Sequence, residues 1–134
     1  MEKRKPRILI IEDDEYSREA LEHLLNAEGW EARPAADGVS GYCAARRSVP
    51  DVIVLDLNLP DVDGQRVLEK FRGNRVLHQV PIIVITGYTL DDIPEEVSSK
   101  ADFCITKPAS FDEVIRAIFN VLIMPRRAAP AADM

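Results

Sequence analysis

One stretch, residues 51–64 (DVIVLDLNLPDVDG), most constrains how this chain can fold. Its first half is a short, β-branched apolar run, which is typical of a strand buried on both faces of a sheet. The run ends on Asp56, and a loop with Pro60 and Gly64 follows. Asp56 is therefore predicted at the carboxyl end of a strand, the end outside which open α/β sheets place their ligand sites.

Other apolar runs also end in polar residues. The runs and the residues that follow them are 7–11 with Glu12, Asp13 and Asp14; 81–85 with Thr86; and 102–106 with Lys107 and Pro108. A weaker, more polar run at 30–34 predicts a strand near an edge of the sheet. Because the carboxyl ends of parallel strands meet at one edge, the carboxylates, the hydroxyl and the ammonium group are expected to converge there.

Apolar residues at helical spacing predict helices between these strands. They are Ala20, Leu21, Leu24 and Leu25 in the first helix; Val39, Tyr42 and Cys43 on the inner side of the second, capped by Asp37; and Val67, Leu68 and Phe71 in the third. A capping box of Ser110 and Glu113 begins the last helix, whose apolar face is Val114, Ile115, Ile118, Phe119 and Leu122. Residues 90–100 have few apolar positions and a proline in the first turn, so their helix should be lightly anchored and is a candidate moving part.

The alternation of strands and helices predicts an α/β fold, with a doubly wound, five-stranded parallel sheet and helices on both of its faces. We expect the strand order 2-1-3-4-5. In that order the direction of winding reverses between the first and third strands. Glu12, Asp13 and Asp56 then flank the crevice where a ligand should bind.

Composition excludes several classes of protein. The chain has 134 residues, 46% apolar and 30% charged, and suits one globular domain at 1–124 with a flexible tail at 125–134 and no output domain. A net charge of -6 disfavours direct nucleic-acid binding. No apolar stretch approaches the roughly 20 residues that cross a bilayer, and none suits a signal peptide, so we expect a cytoplasmic protein. Cys43 and Cys104 fit no metal or disulfide spacing and are expected to be small buried hydrophobes.

The predicted cluster of carboxylates points to a metal ion. Carboxylates crowded at one edge repel one another unless a cation shares the site. Oxygen ligands without His or Cys nearby favour a hard ion, with Mg²⁺ first. Asp56 could then act as a nucleophile toward a phosphoryl group, forming an aspartyl phosphate. Lys107 would supply positive charge to the phosphoryl oxygens, and Thr86 would donate a hydrogen bond to them.

The segments IEDDE, LDLNLPDVDG, VITG and ITKP, in this order and spacing, resemble the receiver domain of two-component response regulators, a CheY-like family with a flavodoxin-like fold. The resemblance covers about residues 7–122. It implies that Asp56 is the phosphoacceptor, Thr86 the switch hydroxyl and Lys107 the lysine that pairs with the phosphate.

The resemblance also implies a magnesium site. Glu12 and Asp13 would be its acidic pair, with Asp13 and Asp56 as side-chain ligands and Asn58 as a ligand through its backbone carbonyl. It further implies a cis peptide bond before Pro108, an isomer accessible mainly before proline. Arg18 falls where the family often has an arginine. Two positions depart from the family pattern. Three residues before the lysine, Cys104 stands where the family usually has a Tyr or Phe whose rotamer changes with the switch hydroxyl. Gly87 stands where the family more often has Ala after the hydroxyl residue.

By this resemblance the protein is a phosphorylation switch, not an enzyme with an outside substrate. A sensor histidine kinase or a histidine phosphotransfer protein would donate a phosphoryl group to Asp56 with Mg²⁺ bound. The domain would catalyse only this transfer and its own dephosphorylation. It would signal to a protein target through the surface of the last two helices and the last strand, and the last helix could support a homodimer.

Two alternatives from other classes stay open. One is a phosphorylation-independent interaction module with a receiver-like fold, which the substitution at Cys104 allows. The other is a magnesium-dependent phosphohydrolase with Asp56 as its nucleophile. Such an enzyme usually needs a second acid two residues after the nucleophile, where this chain has Asn58. Nucleotide binding is disfavoured because the first strand leads into acids and not into a glycine-rich loop.

Overall fold

Five parallel strands form one sheet in the computed structural model, which describes residues 4–124. They are β1 (Arg7–Ile11), β2 (Glu31–Ala35), β3 (Val52–Asp56), β4 (Ile82–Thr86) and β5 (Phe103–Thr106). Their order is β2-β1-β3-β4-β5, and every neighbouring pair is parallel. The predicted fold class and strand order are therefore confirmed. The predicted tail at 125–134 lies outside the described residues.

Helices follow the strands in the predicted alternation. They are α1 (Glu15–Ala27), α2 (Gly38–Arg47), α3 (Gly64–Gly73), α4 (Glu95–Ser98) and α5 (Phe111–Leu122). Asp37 caps α2 by accepting the N–H of Ser40, and the capping box of Ser110 and Glu113 is present at the start of α5. Among residues 4–124, no helix has both the length and the apolar character that spanning a membrane requires.

The sheet separates two layers of core. Alternate residues of a strand point to opposite faces, so Leu9 and Ile11 of β1 enter the core shared with α2 and α3. Ile8 and Ile10 enter the core shared with α1 and α5. Every residue of β3 and β4 is buried, as expected for central strands covered on both faces. Asp56 and Thr86 are thus held at the ends of the two most buried strands.

The inner side of α2 differs from the prediction. Val39 is 59% exposed and Cys43 is exposed, while Gly38, Gly41 and Ala45 are the buried residues of this helix. The reason is close packing, because a Cβ added to Gly41 would lie 2.5 Å from Cδ1 of Ile11. Only very small residues fit against β1, so Val39 and Cys43 turn outward, while Tyr42 is half-buried and packs against the core as predicted.

The prediction that both cysteines are buried is also wrong in part. Cys43 follows the outward turn of α2 and is exposed, whereas Cys104 is half-buried and packs against the core on the α3 side of the sheet. Cys104 remains partly accessible because β5 is an edge strand and the helix after β4 is short.

Residues 90–100 form less helix than predicted. A single 3₁₀ turn, Leu90–Asp92, precedes the four-residue α4, and Pro94 stands at the N-cap of α4. Proline has no N–H to donate, and it disfavours helical backbone in the residue before it, so the two helical pieces cannot merge. Val97 is fully buried and anchors α4, whereas Leu90 is 73% exposed.

The apolar face of α5 is rotated slightly from its predicted position. Val114, Ala117, Ile118 and Val121 are buried, while Phe119 is 49% exposed. The Phe119 ring packs edge-on against Trp30, with ring centroids 4.7 Å apart. Phe119 therefore covers the side of Trp30 at the margin of the core.

Candidate functional site

The ends of β1 and β3 bring three carboxylates together. Ile11 pairs with Leu55 in the parallel register, so Glu12 and Asp56, the next residues, lie side by side. Carboxylate oxygens of Glu12, Asp13 and Asp56 all lie within 4.8 Å of one another. They line a cavity of about 610 Å³ that Lys107 and Asn58 also border. The structure thus brings together five residues predicted from the sequence.

The members of this cluster differ in burial. Asp56 is 2% exposed and Glu12 is 9% exposed, whereas Asp13 lies open to solvent. Burial raises the pKa of Glu12 to about 7, and the nearby Asp56 carboxylate adds to the rise. Burial and the neighbouring carboxylate thus disfavour the ionised form of Glu12.

Lys107 supplies one positive charge to the pocket. Its Nζ lies 3.0 Å from Oδ2 of Asp56. The backbone N–H of Lys107 donates to the carbonyl oxygen of Thr86 at 2.7 Å, which fixes the end of β5 against β4. The peptide bond between Lys107 and Pro108 is cis, as the family resemblance implied.

The second oxygen of Asp56 is held by the loop that follows it. Oδ1 accepts the N–H of Asn58 at 2.9 Å. With Oδ2 paired to Lys107, both oxygens have a partner and the carboxylate has a defined orientation in the wall of the cavity. The Asp56 side chain thus faces the cavity at the end of β3.

Thr86 lies beside the pocket and does not line it. The residue is 1% exposed, and its Oγ1 accepts the N–H of Tyr88 at 3.1 Å. It borders a second cavity of about 330 Å³, which shares Asn58 with the first. The hydroxyl is therefore adjacent to the Asp56 site and is engaged by the backbone that leads out of β4.

Two neighbours of the cluster support it without joining it. Asp14 caps α1, and the hydrogen bond from the backbone N–H of Ser17, at 2.8 Å, lowers its pKa. Nη1 of Arg18 donates to the carbonyl oxygens of Glu12 at 3.0 Å and Asp13 at 3.1 Å. Arg18 thereby holds the acidic loop in place, and Asp14 serves as the N-cap of α1.

The sequence reasoning missed the apolar wall of the pocket. Leu21 of α1 and Phe111 and Val114 of α5 line the same cavity as the carboxylates. Helical periodicity identified Leu21 and Val114 as inward-facing, but no local signal states which end of a helix borders a ligand site. Only the packing of α1 beside α5 shows that this wall exists.

The donor set fits a hard divalent cation. The ligand atoms that converge are carboxylate oxygens, the type that Mg²⁺ prefers. Three crowded carboxylates against one lysine leave negative charge that such an ion would balance. Fold and site together define a class: doubly wound α/β domains with a lysine-paired aspartate in an acidic pocket at the point where the winding reverses.

A model of the response regulator receiver domain family matches residues 8–119, and the chain belongs to that family. Receiver domains are signalling modules of two-component systems. Phosphorylation-switched signalling, interaction with histidine kinases and Mg²⁺ binding at an acidic pocket are general to the family.

The chain is similar to regulators of two lengths. It is 36% identical over 109 residues to the probable transcriptional regulatory protein TcrX of Mycobacterium tuberculosis, covering 81% of this chain and 46% of that protein. It is 28% identical over 116 residues to the polar-differentiation response regulator DivK of Brucella ovis, covering 86% and 94%. The chain spans about half the length of the first curated relatives it matches.

Solved structures give the same result. A CheY-like receiver domain protein from Methanospirillum hungatei superposes with a TM-score of 0.79 at 28% identity, covering 88% of this chain and 94% of that one. The receiver domain of the sensor histidine kinase PA1611 from Pseudomonas aeruginosa, with a magnesium ion in its active-site cleft, has a TM-score of 0.79 at 26% identity, covering 88% and 98%.

Proposed function

We propose that this domain accepts a phosphoryl group on Asp56 from the phosphohistidine of a sensor kinase or a histidine phosphotransfer protein. One observation carries the proposal. Asp56 lies in a three-carboxylate cluster with its Oδ2 only 3.0 Å from the ammonium group of Lys107. A buried carboxylate with both a candidate metal site and a cation beside it is arranged to receive an anionic phosphoryl group.

Magnesium is the proposed cofactor. Asp13 and Asp56 would hold it through side chains and Asn58 through its backbone carbonyl, with Glu12 completing the acidic pair. When bound, the ion neutralises the carboxylates and the phosphoryl oxygens, so that one anion can attack another. The crowding of oxygens within 4.8 Å supports this assignment.

The proposed reaction is a single displacement at phosphorus. A carboxylate oxygen of Asp56 forms the new P–O bond while the P–N bond to the donor imidazole breaks. The imidazole nitrogen keeps the electron pair and is then protonated by solvent. Lys107 pairs with the phosphoryl oxygens as charge redistributes among them. Attack of water on phosphorus later breaks the P–O bond, which returns the Asp56 carboxylate and inorganic phosphate.

The proposed output starts at Thr86. A phosphoryl group adds a charge of roughly -1.5 to -2, by analogy with phosphoserine, and should draw the Thr86 hydroxyl and Lys107 toward it. Because Oγ1 of Thr86 accepts the N–H of Tyr88, this movement would disturb the backbone that leads to the lightly anchored residues 90–100. A protein target would read the change on the surface formed by α4, β5 and α5.

The test is phosphorylation by a small phosphodonor. We expect one added phosphoryl group by intact mass, dependent on Mg²⁺ and absent from Asp56→Asn. The adduct should be lost on treatment with hydroxylamine or alkali, as an acyl phosphate is. An adduct that resists hydroxylamine, or one that persists in Asp56→Asn, would overturn the proposal. A target that binds equally well with and without beryllofluoride would favour the phosphorylation-independent alternative.

A further inference from the structure

The outer side of α2 and α3 carries an unusual concentration of positive charge for a chain of net charge -6. We name this group the basic patch. It consists of Arg46, Arg47, Arg66 and Lys70, all exposed. Within residues 4–124, none of the four forms an ion pair. Glu69 is the acidic residue of α3, α2 has none, and Glu69 forms no ion pair with the patch.

Tyr42 holds the centre of the basic patch. The Arg46 guanidinium carbon lies 5.8 Å from the centroid of the Tyr42 ring and Lys70 Nζ lies 5.6 Å from it, both within cation–π range. Nδ2 of Asn74 donates to the Tyr42 hydroxyl at 3.1 Å, and the ring packs against Phe71 with centroids 5.3 Å apart. A rigid, half-buried aromatic ring thus brings cations from two helices together.

Interaction with the helix dipoles explains only part of this positive charge. Arg46, Arg47 and Lys70 lie in the last turns of their helices, where cations stabilise the helix dipole. Arg66 is near the start of α3, where a cation is unfavourable. Arg66 and Lys70 are also like charges four residues apart on one helix face, which is a destabilising arrangement. The charge of the patch therefore exceeds what helix stability accounts for.

We propose that the basic patch docks an acidic polypeptide segment of a partner protein. Tyr and Arg, the residues at its centre, are enriched among those that dominate protein interfaces. Exposed charges more than a Debye length of about 8 Å apart are largely screened, so the negative charge elsewhere on the domain repels a short acidic segment only weakly. A nucleic acid is disfavoured, because duplex binding commonly engages about 6–10 phosphates and would extend over acidic regions.

The position of the patch makes docking independent of phosphorylation. Arg46, Arg47 and Lys70 lie in the last turns of α2 and α3, near the end of the sheet opposite Asp56, whereas Arg66 lies in the first turn of α3, nearer Asp56. A segment bound at the C-terminal ends of the two helices leaves the acidic pocket open. The inference therefore goes beyond the proposed function and does not depend on it.

The test is an NMR titration of the ¹⁵N-labelled protein with a short synthetic peptide of glutamate and leucine residues. We expect amide shift changes concentrated on α2 and α3, with affinity falling as salt rises. The double variant Arg46→Gln/Lys70→Gln should bind the peptide about fivefold more weakly, the loss expected for two partly exposed charges. Asp56→Asn should bind like the wild type, which separates this test from that of the phosphorylation site.

The matched control is Lys5→Gln/Arg116→Gln, which makes the same change in net charge at exposed cations outside the patch. It should retain wild-type affinity, and thermal unfolding should show that both double variants are folded. Equal weakening in the two double variants, scattered shift changes or no binding would overturn the proposal. Binding of duplex DNA through the patch, without binding of the peptide, would overturn it in favour of a nucleic-acid surface.

Discussion

At the scale of single residues, Asp13 and Asp14 show how neighbours in the sequence acquire different roles. Asp13 offers a carboxylate oxygen to the acidic cluster, whereas Asp14 caps α1 through the N–H of Ser17. The sequence places both after a strand, and the capping preference of aspartate applies equally to either. The distinction between the two depends on where α1 begins, which the structure shows to be Glu15.

We predict that Asp13→Asn lowers Mg²⁺ affinity at least about tenfold, because it removes an anionic ligand from the site. Asp14→Asn is the matched control. It should leave Mg²⁺ affinity and stability nearly unchanged, since asparagine caps helices about as well as aspartate. Isothermal titration calorimetry with Mg²⁺ measures both variants. A larger loss of affinity in Asp14→Asn than in Asp13→Asn would show that Asp14, and not Asp13, is the metal ligand.

At the scale of elements, Gly64 positions the loop that follows Asp56. It is the first residue of α3, and a Cβ there would lie 2.5 Å from the carbonyl oxygen of Leu57 and 2.8 Å from its carbonyl carbon. These are backbone atoms of the residue next to Asp56, so they cannot turn aside as a side chain does. The sequence marked Gly64 as a turn residue, but the close approach is a tertiary contact.

Gly64→Ala should destabilise the domain by about 1–3 kcal/mol, the usual cost of overpacking, and should weaken Mg²⁺ binding by displacing the loop. Gly73→Ala is the control within the same helix, because a Cβ at Gly73 meets no atom within 4 Å. Urea denaturation gives the free energy of unfolding for each. Equal stability of the two variants would show that the loop relaxes around the added methyl group.

The start of α2 is stabilised from a distant part of the chain. Asp61 accepts the N–H of Gly38 at 2.9 Å and that of Val39 at 3.0 Å. Burial opposes ionisation of Asp61, but these hydrogen bonds outweigh it and lower its pKa. The folded state therefore holds the Asp61 proton less tightly than the unfolded state does, and stability rises with pH across this range.

The ionised Asp61 carboxylate should contribute fully to the free energy of unfolding at pH values above its unfolded pKa of about 3.9. This contribution should disappear as pH falls through the lower pKa that Asp61 has in the folded state. Asp61→Asn should accordingly lose less stability than the wild type on acidification below about pH 5. Urea denaturation at a series of pH values measures this difference. The control Asp91→Asn, at an exposed site, should follow the wild-type slope. Identical slopes for wild type and Asp61→Asn would contradict the assignment.

At the scale of the whole molecule, Arg72 joins three parts of the fold near the starts of β4 and β5. Its nitrogens donate to the carbonyl oxygens of Lys100 at 2.7 Å, His78 at 2.9 Å and Val80 at 2.7 Å. Nη2 pairs with Oδ2 of Asp102 at 2.7 Å, and that oxygen also accepts the N–H of Ile82 at 2.8 Å. Arg72 thereby fixes two segments to the end of α3, one just before β4 and one between α4 and β5.

Arg72→Ala should destabilise the domain by about 3 kcal/mol, because it leaves a largely buried carboxylate without its ion-pair partner. The side chains of Arg72 and Asp102 are only 10% and 13% exposed, so solvent screens the pair weakly. Arg75→Ala, at an exposed site after α3, should change stability by less than about 0.5 kcal/mol. Chemical denaturation gives the free energy of unfolding of both variants. A small loss of stability in Arg72→Ala would mean that solvent replaces the contacts of the arginine.

The amino-acid sequence by itself determined the class of fold and the strand ends that carry chemistry. Short β-branched runs ending in polar residues, alternating with helical patterns, specify a parallel sheet, and a parallel sheet brings Glu12, Asp56 and Lys107 to one edge. These inferences succeed because strand burial and helix periodicity are local properties. The expected cytoplasmic location and homodimer stay predictions.

Only the tertiary structure decided how tightly parts of the chain approach one another. Closeness of α2 to β1 turned Val39 and Cys43 outward, and the position of α3 against Leu57 required Gly64. Packing likewise brought Arg46 and Lys70 to the Tyr42 ring and set the Thr86 hydroxyl beside the acidic pocket and against the N–H of Tyr88. Such features depend on distances between segments far apart in the chain, and periodicity within one segment carries no information about those distances.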